Sequence, residues 1–399
     1  MEGSQSFLQW REIPGGVWTL GFVSLFMDIS SEMIHSLLPL YLVTVLGTSL
    51  LTVGMIEGIA EATTSIIKIF SGALSDRLGQ RKLLAVSGYG LAAFTKPVFA
   101  LATSIFWIVA ARFVDRVGKG IRGAPRDALI ADLTPIEIRG AAFGLRQSLD
   151  TVGAAFGPLL AIAFMALTAS NFTAVFWIAV IPAFISLALI VFRVREPERS
   201  AAKPVRSPLS PAELQKLSLA YWLVVALATV FTLARFSEAF LLLRAQSVGL
   251  ALMFVPTVML VMNVAYALTA WPAGDLSDRL GRYAILISGF LVLVLADLIL
   301  AFGFSIFIIG IGAALWGLHM GMTQGLLASL VADTAPVELR GTAFGMFNLV
   351  TGIATLLASI IAGALWDVVG PAATFIAGAS FATIALLCLP VIRQSLNSN

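Results

Sequence analysis

Apolar residues run in long blocks, broken at short intervals by glycine, proline and charge. The blocks cover residues 17–46, 50–74, 83–103, 105–125, 138–168, 172–192, 218–244, 250–273, 283–303, 305–331, 340–364 and 371–392. A helix crosses a hydrocarbon layer of about 30 Å in about 20 residues, and each block reaches that length. Inside such a layer every backbone N–H and C=O must be satisfied within its own segment, so the blocks predict helices. The expected fold is an all-α membrane protein of twelve transmembrane helices. Between them, RVREPERSAAKPVRSPLSPAELQK (193–216) is rich in proline and charge. That stretch predicts a cytoplasmic linker between bundles at 1–192 and 217–399.

Composition supports the same class: 59% of residues are hydrophobic and 12% charged, where soluble domains have about 45–50% and about 25%. The first ten residues hold Glu2, Gln5 and Trp10 and no basic run, so the first span is expected to act as its own insertion signal. Putting both termini in the cytoplasm places Arg11, Arg77, Arg81, Lys82, Arg126, Arg139, the basic residues of 193–216, Arg279, Arg282, Arg340 and Arg393 inside. Arg244 is then the one basic residue of the outer loops, an asymmetry that predicts a multi-pass inner (plasma) membrane protein in that orientation. The net charge of +3 is scattered through loops and spans and makes no nucleic-acid footprint. Cys388 is the single cysteine, which excludes an intrachain disulfide and argues against thiol-based metal or redox chemistry. No phosphate-binding loop, nucleophile elbow or metal-hydrolase motif is present, so neither enzymatic activity nor a cofactor is expected.

The two halves repeat. ALIADLTPIEIRGAAFGL (128–145) returns as SLVADTAPVELRGTAFGM (329–346), an offset of 201 residues, and GALSDRLGQRK (72–82) returns as GDLSDRLGRY (274–283). Two blocks at nearly one offset imply duplicated six-helix bundles in parallel orientation, related by a pseudo-two-fold axis. On these residues the whole chain resembles the major facilitator superfamily. The loop signature G-x-x-x-D-R-x-G-x-R-[KR] is matched by Gly72, Asp76, Arg77, Gly79, Arg81 and Lys82. The fourth-span signature is matched loosely by Arg116, Gly118 and Gly120, with Lys119 where the family has glutamine. The fifth-span G-x-x-x-G-P is matched by Gly153, Gly157 and Pro158, a motif that the resemblance associates with antiporters exporting solutes. Physically, Gly153 and Gly157 offer a flat face for close helix packing and Pro158 bends the span. Asp76 can accept from a helix N-terminus, and Arg81 is expected to pair with Asp127 in a latch at the cytoplasmic side.

Charges within the spans carry the functional expectation, because each costs several kcal/mol unless paired or hydrated. Asp28, Glu32 and His35 share one face of the first span, and Glu57 and Glu61 one face of the second. Between Arg112 and Arg126 the fourth span presents a stripe of Arg112, Asp115, Arg116, Lys119, Arg122 and Arg126, and the fifth adds Arg146 and Asp150. Lys68 and Lys96 are expected to snorkel toward the interface. Acids and bases are nearly balanced, which suggests a paired network rather than an anion trap. Arg116 is expected to pair with Asp150 from matching depth. Asp28 and Glu32 cannot easily both ionise at low dielectric, so one should keep its proton at neutral pH, as proton coupling requires.

The second half has Arg235, Glu238, Asp297 and His319, with Asp297 expected to contact a neighbouring helix, and is otherwise aromatic and apolar. Two readings follow. One is a monomeric proton-coupled exporter of a small organic, drug-like solute. In it, Asp28, Glu32, Glu61 and Asp150 handle protons. His35, Glu57, Arg112, Arg116, Arg235, Glu238, Phe240, Tyr266, Trp316 and His319 meet the solute. The other is a carrier of a metal ion or chelate on Asp28, Glu32 and His35.

Overall fold

The computed structural model describes residues 13–78, 80–135, 138–196, 214–336 and 339–397. The helices are α1 (Gly15–His35), α2 (Leu38–Thr44), α3 (Leu50–Leu78), α4 (Arg81–Leu101), α5 (Ile105–Leu133), α6 (Arg139–Leu167) and α7 (Phe172–Arg193). They continue as α8 (Leu219–Leu233), α9 (Ala239–Ser247), α10 (Thr257–Leu280), α11 (Arg282–Phe302), α12 (Ile306–Thr334), α13 (Arg340–Val368) and α14 (Pro371–Asn397). With α1–α2 and α8–α9 each counted as one interrupted pass, the described residues make the twelve passes expected.

Among the described residues, ten passes are long and apolar enough to cross a membrane. The others are α5, whose charged stripe lowers its hydropathy, and the interrupted α8–α9. The 29-residue α5 runs to Leu133, a full two turns past the end of its apolar block at residue 125. Large apolar side chains face outward, with Phe192 81%, Phe304 88% and Phe307 77% exposed, as a lipid-facing surface requires.

The two interruptions fall one repeat apart, at Ser36–Leu37 and at Ala234–Glu238. Pro39 stands in the first turn of α2 and cannot donate a helical hydrogen bond, which accounts for the first. The second contains no proline. There Ser237 N donates to Ser359 Oγ at 3.1 Å, and Ser237 Oγ accepts from Ala239 N at 3.2 Å, so side chains replace part of the lost helical ladder.

The described residues form two compact units: 13–35 with 66–196, and 36–65 with 214–397. They depart from the sequence halves, because residues 36–65 pack with the second. In the first unit α1 packs on α6 and α7, and α4 on α5 and α7. Val17, Leu20, Val23, Met27, Tyr89 and Leu145 form its apolar core. In the second, α12 packs on α10 and α11, and α14 joins α11 to α8. The start of α3 is held to α13 there: Leu50 N and Leu51 N donate to the Asp367 carboxylate at 3.0 and 2.8 Å. A Cβ at Gly363 would stand 2.5 Å from Leu50 O, so only glycine allows this approach. Most of the linker, 197–213, lies outside the described residues.

Candidate functional site

The charged column of the first unit is built on α1, α4, α5 and α6. On α1, Asp28 and Glu32 face α6, and the glycines of the fifth-span motif sit directly against them. A Cβ at Gly153 would meet Asp28 Cβ at 3.0 Å, and one at Gly157 would meet Glu32 Cβ at 2.5 Å. The motif therefore sets how closely α6 approaches the two acids, while α6 itself runs unbroken through Pro158. His35 Nδ1 lies 3.7 Å from Glu32 Oε2, so the expected face of Asp28, Glu32 and His35 is present. Lys119, Arg122 and Arg126 act on Asp28 together with Asp150, and Lys119 and Arg116 act on Glu32.

Several pairings differ from those expected. Lys96 does not snorkel: it is 1% exposed, and its Nζ donates to Asp115 Oδ1 at 2.9 Å and Ser31 Oγ at 3.1 Å. Its aliphatic stem is too deep in the α4–α5 contact for the ammonium to reach an interface. Arg116 is beside Asp115 (Nε–Oδ2 4.0 Å) rather than Asp150. Asp150 is taken by Arg146 one turn away on α6 (Nη1–Oδ2 2.9 Å) and by Arg126 (Nη1–Oδ1 3.9 Å). The expected equal depth does not hold: Asp115, beside Arg116, is joined through Lys96 to Ser31, whereas Arg126, which approaches Asp150, bonds Ser24, seven residues or about 10 Å earlier on α1. Arg122 lies over the Tyr89 ring, 4.8 Å from its centroid, a cation–π contact. Tyr89 OH is 3.2 Å from Ser24 Oγ, which also accepts from Arg126 Nη1 at 2.8 Å.

Arg81 pairs with Asp132 (Nη1–Oδ2 2.6 Å), not Asp127. Arg81 opens α4 and Asp132 closes the antiparallel α5, so the two ends meet. Asp127, more than a turn deeper, is held by Arg126 Nε at 3.1 Å and approached by Arg146 Nη1 at 3.6 Å. Glu196 Oε1 accepts from Arg81 N at 2.5 Å and caps the start of α4. The pair recurs in the second unit, where Arg282 bonds Asp333, one repeat on from Arg81 and Asp132. The surroundings of Gly72 and the side chains of Asp76 and Arg77 lie outside what the structure describes.

Glu57, fully buried, and Glu61, half-buried, lie in the second unit with residues 36–65. Two of the three aromatic residues expected to meet solute, Phe240 and Trp316, are buried within that unit. Phe240 is fully buried, edge-on to Phe236 at 5.6 Å and 5.8 Å from Trp366. Trp316 and His319 are also buried, their rings 5.0 Å apart. Arg235, Glu238 and Tyr266 are half-buried, the first two in the α8–α9 break. No group of three or more His, Cys, Asp or Glu side chains among the described residues is placed to hold a metal ion. Sequence reasoning missed Tyr89, Asp132 and Glu196; the repeat could have found Asp132, since Asp333 stands at its counterpart.

The family profile of the Major Facilitator Superfamily matches residues 20–350 and 239–397. An MFS-type transporter of Methanocaldococcus jannaschii is 33% identical over 388 residues, 95% of each chain. The class C tetracycline resistance protein of Escherichia coli is 29% identical over 345 residues, covering 81% of this chain and 82% of that one. Among solved structures, a nucleoside transporter superposes with a TM-score of 0.79 at 12% identity, covering 95% of this chain and all of the other. A human organic anion transporter does so with a TM-score of 0.67 at 17% identity, covering 94% of this chain. At those identities the structures show a shared fold.

Proposed function

Because the chain belongs to the Major Facilitator Superfamily, whose members are secondary transporters of the membrane, we propose that it is a proton-coupled antiporter exporting a small organic solute by alternating access. The observation that carries this reading is the pair Asp28 and Glu32, one turn apart inside α1 and pressed against Gly153 and Gly157. Two acids this close in a low-dielectric span exchange protons more readily than they hold two charges, and the surrounding bases respond to each change of charge. The likeness to a tetracycline resistance protein supports export of a drug-like solute. Glu61 and Asp150 complete the proton-handling set, and Arg112 and Arg116 orient the solute. The chain works as a monomer in the plasma membrane with both termini cytoplasmic, and performs no covalent chemistry. Gly72, Asp76, Arg77 and Arg81 form a cytoplasmic latch whose acid partner is Asp132, the carboxylate that Arg81 reaches.

Thermal unfolding of the purified protein tests the solute class. Tetracycline, lipophilic cations, organic anions and divalent metal ions are added in turn. Stabilisation by an organic solute, weakened in Asp28→Asn, is the expected result. Stabilisation by metal ions alone would overturn the reading.

A further inference from the structure

The offset of 201 residues sets Lys96 against Asp297 and Asp115 against Trp316. In the first unit these positions join α4 to α5 through an ion pair. In the second unit the corresponding helices, α11 and α12, meet through the same two positions, but with different chemistry. Trp316 Nε1 donates to Asp297 Oδ1 at 2.9 Å. The acid has moved to the other helix, and its donor, an ammonium in the first unit, is a neutral indole in the second.

Asp297 is 0% exposed, and its Oδ2 has no hydrogen-bond partner among the described residues. That oxygen is turned toward α14, where a Cβ at Gly378 would stand 2.6 Å from it and 3.0 Å from Phe236. Phe236 closes the space, its ring 5.9 Å from Trp316 and 5.5 Å from Phe375. The nearby titratable groups are His319 on α12, Arg235 and Glu238 in the α8–α9 break, and Tyr266 on α10. Arg235 acts on His319, and Glu238 and Tyr266 act on Arg235. α14 brings Gly378 to the carboxyl, and its Phe375 packs on Phe236. None of these groups forms an ion pair or hydrogen bond with Asp297 among the described residues.

An ionised carboxylate with a single neutral donor, sealed among aromatic rings, carries a desolvation cost of several kcal/mol. A proton on the oxygen that lacks a donor removes that cost and needs no space for a ligand. We propose that Asp297 is a proton-binding site of the second unit, protonated on Oδ2 in this conformation and deprotonated when the Ala234–Glu238 break admits water. The step is one proton transfer from Oδ2 to water, leaving a carboxylate that keeps the Trp316 hydrogen bond. Only the role of this proton in transport rests on the antiport reading; the site itself does not.

Infrared spectroscopy of the purified protein in lipid nanodiscs at neutral pH reads protonated carboxyls directly through their C=O stretch. The wild type should show a protonated-carboxyl band that disappears in Asp297→Asn. Asp28→Asn should retain it. Trp316→Phe, which removes the donor to Oδ1, should move the same band to higher frequency, and this variant serves if Asp297→Asn does not fold. A spectrum unchanged by Asp297→Asn, or a band unmoved by Trp316→Phe, would overturn the inference. A band that vanishes in Asp28→Asn but persists in Asp297→Asn would also overturn it, while leaving proton chemistry in the first unit intact.

Discussion

Asp115→Asn should damage the first unit more than Lys96→Met, although the two side chains form one buried pair. Their side chains are 5% and 2% exposed, so neither charge is relieved by water. Lys96, Arg116, Arg122 and Arg112 all act on Asp115, and removing the carboxylate takes away the centre of that cluster. Lys96→Met instead leaves Asp115 with Arg116 Nε at 4.0 Å. Breaking a buried pair from one side costs about 3–5 kcal/mol in soluble cores. Asp115→Asn should lie in that range, and Lys96→Met below it at about 1–3 kcal/mol because a second base remains. The double variant should cost less than the sum, with a coupling energy of about 1–3 kcal/mol. Unfolding free energies in mixed micelles, followed by tryptophan fluorescence, give all three numbers. Additive effects, or a larger cost for Lys96→Met, would refute the argument.

Three further outcomes are expected. Gly157→Ala should cost about 1–3 kcal/mol by overpacking, since its Cβ would be 2.5 Å from Glu32 Cβ, whereas Gly144→Ala, inside the same helix with open space around it, should stabilise by up to about 1 kcal/mol in the same unfolding measurement. Asp367→Asn should weaken the anchoring of the α3 N-terminus by about 0.5–1 kcal/mol and raise hydrogen exchange at Leu50 and Leu51 several-fold; unchanged exchange would remove the carboxylate from that role. Arg81→Gln should lower stability measurably and Arg282→Gln should not, because the first pair is 15% and 26% exposed and its repeat 38% and 53%; equal effects would contradict the screening argument.

The passes were legible in the sequence because a hydrocarbon layer imposes one length and one polarity on each of them. The duplicated blocks then gave the repeat, and composition alone gave the class. Depth along a helix was legible only coarsely: Asp115 is joined through Lys96 to Ser31, and Arg126, the partner of Asp150, bonds Ser24 two turns earlier on α1. Pairing depends on finer placement than that, so Lys96 rather than Arg116 holds the shorter contact with Asp115, and Arg146, on the same helix, holds Asp150. The glycine motif announced close packing but not that its partners are the two acids of α1. A break in a helix without proline, such as Ala234–Glu238, leaves no local signal. One signal was present and unused: carrying Lys96 and Asp115 forward by the repeat lands on Asp297 and Trp316.

The central claim is that Asp28 and Glu32 exchange protons against an organic solute. Its most direct test is proton flux in proteoliposomes under an imposed pH gradient, read with an internal pH dye, using tetracycline as the first solute. The wild type should show solute-dependent proton movement. Asp28→Asn and Glu32→Gln should each abolish it while the protein remains folded. Undiminished proton-linked flux in both single variants would contradict the account.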